Sequence, residues 1–179
     1  KLLVVDACRR INHASRASFV EHLRAGDLVV ANDAATLPAS LVGTHGPTGA
    51  PVEVRLAGRS SLKPEIVSRF RAVVFGAGDF RTRTEDRPGP PPLAAGDRLV
   101  LGPLRATVER LLHHPRLVSL WFDGPPDEVW AGLARHGRPI QYAHVQEPLA
   151  LWDVWTRIAG PPVAFEPPSA GFALDWRAL

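Results

Sequence analysis

Apolar and polar positions change rhythm twice along the 179-residue chain. At the start, the run LLVV (2–5) predicts a short buried strand. INHASRASFVEHLRAGD then predicts a helix. Ser15 is placed to cap it, Phe19, Val20 and Leu23 give it an apolar face, and Gly26 stops it in a left-handed conformation. DLVVAND (27–33) predicts a second strand ending in two polar residues, and LPASLVGTH continues extended around Pro38.

From about Gly43 to Pro125 the rhythm shortens. APVEVRLAG (50–58), RFRAVVFGAG (69–78), AAGDRLVLGPLRATVERLLHH (94–114) and RLVSLWFDG (116–124) are short apolar or alternating runs separated by Gly and Pro. Such a series predicts a small barrel or curled sheet. RTRTEDRPGPPPLAAG (81–96) reads by composition as a long mobile loop. After Pro126 the helical period returns, with Val129, Trp130, Leu133 and Ala134 on one face and Gly137 just past its end. The expected organisation is an α/β frame, 1–42 and 126–179, with an inserted small all-β barrel-like domain over 43–125.

Composition adds little to the fold but narrows the context. Hydrophobic residues make 45% and charged residues 22%, ordinary for a soluble globular protein. No apolar run approaches the length of a membrane span. The apolar stretch at the N-terminus breaks at Asp6, short of a signal peptide's core. Cys8 is the one cysteine, which suits a reducing compartment, so a cytoplasmic location away from membranes is expected. Of the 21 basic residues only Lys1 and Lys63 are lysines, leaving 19 arginines, whose planar forks suit phosphates and stack on bases. With a net charge of only +3, any nucleic-acid surface has to be a local patch.

Four polar or aromatic clusters carry candidate chemistry. Asn32 and Asp33 end an apolar run, a position that commonly lines a ligand crevice in α/β sheets, although both residues also favour plain turns. GRPIQYAHV (137–145) follows the helix that ends in His136, and its Gln141, Tyr142 and His144 suit a base edge, a ribose or a carboxylate. His136 sits where the helix dipole favours a cation. His136 and His144 lack zinc-motif spacing and no acid or Cys joins them, so no metal is expected. PPSAGF (167–172) places Ser169, Ala170 and Gly171 in a tight turn, whose backbone N–H groups suit an anion or a nucleotide. Trp121, Phe122, Trp130, Trp152, Trp155 and Trp176, interleaved with Arg, suit either a core or base stacking.

The order of these clusters resembles one enzyme family. AGDLVVANDAATLPASLVG resembles G-D-L-L-V-x-N-D-T-R-V-x-P-A-R-L of the S-adenosylmethionine:tRNA ribosyltransferase-isomerases of queuosine biosynthesis. KLLVVD…INHASRASFVEHL, AAGDRLVLGPLRATVERLL, ARHGRPIQYAHV and PPSAGF are similar to further motifs of that family, in its order. The resemblance implies an α/β domain with an inserted β-barrel. It implies transfer of the ribosyl part of S-adenosylmethionine to a 7-aminomethyl-7-deazaguanine base in tRNA, giving epoxyqueuosine. By analogy Asp33, His136 and Tyr142 become catalytic candidates, and Asn32, Pro139, Ser169, Ala170 and Gly171 line the cofactor crevice. Ala35 and Ser40 stand where the motif has Arg, and Ala173 where it has His. The alternative is a non-catalytic relative that keeps the fold and a nucleotide or RNA surface.

Overall fold

The computed structural model describes residues 1–179. Its centre is a closed barrel of six antiparallel strands. Before the barrel come β1 (Leu2–Val5), β2 (Ile11–Ala14) and the two-residue β3 (Ala35–Thr36). The barrel strands are β4 (Ser40–His45), β5 (Pro51–Arg59), β6 (Arg69–Phe75), β7 (Arg98–Leu101), β8 (Leu104–Leu111) and β9 (Leu117–Phe122). Their order is β4-β5-β6-β9-β8-β7, and β7 closes on β4 through Thr44–Val100 and His45–Leu99.

The alternation that predicts the barrel also fills it. Val54 and Leu56 of β5, Phe70, Ala72 and Val74 of β6, and Leu120 and Phe122 of β9 are all buried in one core. Phe70 and Phe122 meet edge to face at 5.8 Å. A six-stranded barrel is too small to hold a channel, so side chains pack its axis.

Helix α1 (Pro126–His136) closes the barrel. Pro126 opens the helix, Asp127 and Glu128 occupy its first turn, and Arg135 and His136 its last, all matching the dipole. Val129 and Leu133 join the barrel core. The imidazole Nε2 of His136 donates to Val42 O at 2.7 Å. The ring rests on Gly102 (φ +62), where a Cβ would come within 2.4 Å of Nδ1. Gly137 has φ −70, so its role is not a left-handed cap. A Cβ there would lie 2.2 Å from Pro38 O, and the missing side chain lets the chain leave the helix against the start of β4.

The expected barrel is present, whereas the structure does not confirm the expected α/β frame around it. Outside the barrel and α1 are a short helix α2 (Leu151–Val154), three short 3-10 helices, the hairpin β1–β2, and a parallel pair of β3 with β10 (Pro162–Ala164). Ser15 does cap the next segment, accepting from Ala17 N, but Arg16–His22 is a 3-10 helix. β1 is half exposed, with Leu3 at 62% and Val5 at 57%. The expected strand 27–33 is irregular and open to solvent, with Leu28 87% and Val30 86% exposed. Strand propensity needs a neighbouring edge to pair with, and residues 28–32 have no backbone hydrogen bond within the chain.

The loop 81–96 is also better anchored than its composition predicts. Arg87 inserts its fully buried guanidinium beside Glu53 of β5, with Nη1 donating to Oε2 at 2.5 Å. Arg116 holds the loop from outside, donating to Arg87 O at 2.7 Å. No helix is long and apolar enough to cross a membrane.

Candidate functional site

Two of the sequence clusters converge on one cavity. Asn32 and the 3-10 turn Ser169–Ala173 line a space of about 350 Å3, together with Phe19, Val29 and Val30. The β3–β10 pair brings them together, since Ala35 N donates to Pro161 O and Leu37 N to Ala164 O. Asn32 Oδ1 accepts from Ala34 N at 2.9 Å, and its amide nitrogen has no protein partner. Ser169, Ala170 and Gly171 form one wall, and Gly171 packs on Thr156, whose buried hydroxyl has no hydrogen-bond partner. Ala173 lines the same cavity. Asp33 is exposed and does not line this cavity; it lies against Gly160, whose N–H donates to its carbonyl.

The passage after α1 serves a second region. Arg138 pairs with Ser40 through two backbone hydrogen bonds, which lays Pro139, Ile140 and Gln141 against the barrel rim. Buried Gln141 organises the following turn by donating to Val145 O and Glu147 O and accepting from Leu149 N. Pro139 and Gln141 line a cavity of about 320 Å3 together with Ser40, Glu53 and Arg138. Tyr142 points elsewhere along the rim. Its hydroxyl donates to Glu166, its ring stacks with His144, and the Arg55 guanidinium lies 5.6 Å from its centroid. Burial, reinforced by the hydrogen bond and charge of Glu166, pushes the phenol up to about 12, against the opposing pull of Arg55. Tyr142 therefore stays a proton donor at neutral pH.

The predicted residues thus divide into three places. Asn32, Ser169, Ala170 and Gly171 share one cavity, while Asp33, the next residue in sequence after Asn32, lies outside its lining against Gly160. Pro139 lines the second, and Tyr142 borders a third with Phe75, Phe165 and Glu166. His136 lines none of these and ties α1 to β4.

Sequence reasoning missed the buried polar group at the barrel rim. Glu53 Oε1 accepts from Ser40 Oγ at 2.9 Å and Arg55 Nε at 2.6 Å, and its other oxygen accepts from Arg87. Burial alone would raise this carboxyl, but the two guanidiniums hold it below the usual range. The available signal was the pair Glu53 and Arg55 at alternate positions of a strand with Val52, Val54 and Leu56 between them. That pattern reads equally as a solvent-facing side, and only the segments packed over it make it buried.

The whole chain, residues 1–179, matches the family described as queuosine biosynthesis protein. It is 32% identical over 152 residues to an S-adenosylmethionine:tRNA ribosyltransferase-isomerase of Thermosynechococcus vestitus, covering 83% of this chain and 38% of that protein. It is 41% identical over 63 residues to the enzyme of the same name from Magnetococcus marinus, covering 35% of this chain and 16% of that protein. The chain therefore spans well under half the length of these curated relatives. No solved structure matches it. The ordered motifs, the barrel and the match along all 179 residues lead to one conclusion: the chain belongs to the queuosine biosynthesis protein family.

Proposed function

We propose that this chain carries the S-adenosylmethionine crevice of a tRNA ribosyltransferase-isomerase. The observation that supports this reading best is the convergence of Asn32 with Ser169, Ala170 and Gly171 on one cavity. Its size and mixed lining suit a nucleoside-bearing ligand, with Phe19, Val29 and Val30 for an apolar ring and Asn32 and Ser169 for polar atoms. S-adenosylmethionine supplies the ribosyl group for transfer to a 7-aminomethyl-7-deazaguanine base of tRNA. The unpaired amide of Asn32 donates to the ligand, and Asp33 serves as ribose-binding or acid/base group. We assign Tyr142, kept protonated, a base-positioning role on the barrel rim, and Pro139 a wall of the separate rim cavity that it lines. His136 contributes by fixing α1, and with it Pro139, to the barrel.

Calorimetric titration of S-adenosylmethionine into the purified chain tests the reading. The wild type should bind, and Asn32→Ala should weaken binding on the order of tenfold, the cost of one ligand hydrogen bond. Absence of binding at millimolar ligand overturns it. Ala173, in the cavity wall where the family motif has His, favours a second reading in which the chain binds a nucleotide without transferring ribose. Binding without adenine release in the presence of tRNA selects that reading.

A further inference from the structure

The barrel wall formed by β6, β9, β8 and β7 concentrates charge around one exposed indole. Its registers align Arg69 with Trp121, Trp121 with Thr107 and Thr107 with Arg98, making one rung across four strands. Arg71, Ser119 and Arg110 make the next rung. At the usual strand spacing the first rung spans roughly 14 Å. Trp121 is 42% exposed, and the Arg69 guanidinium stacks 5.1 Å from its centroid.

Within these four strands the charged residues are Arg69, Arg71, Arg98, Arg105 and Arg110 against Glu109, with Asp123 just past β9. This face therefore holds an excess of three positive charges, as large as the net charge of the whole chain, +3. Glu109 holds Arg69 with two of its nitrogens, and Asp123 pairs with Arg98. Arg71, Arg105 and Arg110 are exposed and make no salt bridge. Folding gains little from a half-exposed Trp set among unpaired arginines, whereas a strand of RNA supplies both phosphates and stacking bases.

We propose that this wall is an RNA-docking surface, on which Trp121 stacks an unpaired base while Arg71 and Arg110 contact phosphates. The proposal locates the tRNA contact and rests on the reading of tRNA as the partner. None of its residues lines the Asn32 cavity, so the two ideas fail separately.

The test is fluorescence anisotropy of a labelled RNA stem-loop with wild type, Trp121→Ala, Trp121→Phe and the double variant Arg71→Gln/Arg110→Gln. S-adenosylmethionine titration and thermal unfolding are run on the same proteins. Trp121→Ala should weaken RNA binding about fivefold or more, and Trp121→Phe should recover most of the loss. The double variant should lower the slope of log affinity against log salt by about 1.4. RNA affinity unchanged in all variants, or no RNA binding by a wild type that binds S-adenosylmethionine, overturns the surface and leaves the cavity reading standing. Trp121-dependent RNA binding without S-adenosylmethionine binding upholds the surface and overturns the enzyme reading. If polyglutamate competes as well as RNA and Trp121→Ala has no effect, the wall binds acidic polymers generally and the stacking role is overturned.

Discussion

Replacing Glu53 with Gln should be the most damaging single polar change in the barrel. The Glu53 side chain is 5% exposed, Arg55 7% and Arg87 0%, so three charges share a site largely withdrawn from solvent. One carboxylate is the shared counter-charge of both guanidiniums, so the trio keeps a net positive charge. Glu53→Gln keeps the shape but leaves two buried cations without a counter-charge, a loss of about 3–5 kcal/mol. Arg87→Met removes one donor, yet the carboxylate keeps Ser40 and Arg55, so the expected cost is about 1.5–3 kcal/mol. Urea unfolding followed by circular dichroism, with unchanged m, measures both. The linkage has a definite sign. The carboxyl is depressed in the folded chain, so its contribution is complete above the ordinary value of 4.5 and disappears as pH falls through the lower folded value. Wild-type stability should fall with acid below pH 4.5, and Glu53→Gln should lose that component of the fall. A cost for Glu53→Gln below about 1 kcal/mol, or below that of Arg87→Met, would refute the assignment of Glu53 as the shared counter-ion.

Tyr142 is the one tyrosine, so phenolate absorbance reports it alone. Its midpoint should lie near 12, and Glu166→Gln should bring it down; a wild-type midpoint near the ordinary 10 contradicts the buried, carboxylate-paired phenol. Because the folded value is raised, its contribution to stability is intact below pH 10 and is lost as pH rises through about 12. Gly137→Ala should destabilise by on the order of 1–3 kcal/mol although φ −70 suits alanine, because the added methyl meets Pro38 O and Leu133 O. Denaturant unfolding at or above wild-type stability would rule out that close approach.

Legibility in the sequence followed the range of the interactions. Alternation along 50–58, 69–75 and 98–122 gives each strand an apolar side, and Gly and Pro between them mark the turns, so the barrel was readable locally. The α1 ends were readable from Pro126, the dipole-matched charges and Gly137, and the family from motif order. Tertiary structure decided what depends on partners far along the chain. Leu28–Val30 have strand propensity but no edge to pair with, so they stay irregular. The apparent outer side of β5 becomes buried because Arg87, distant in sequence, closes over Glu53. Asn32 meets Ser169–Gly171 only through the β3–β10 pair, and Tyr142 finds Glu166 across the same C-terminal segment. A residue's own type fixes its period and its polarity, but burial, pairing and proton affinity belong to the neighbours that folding supplies.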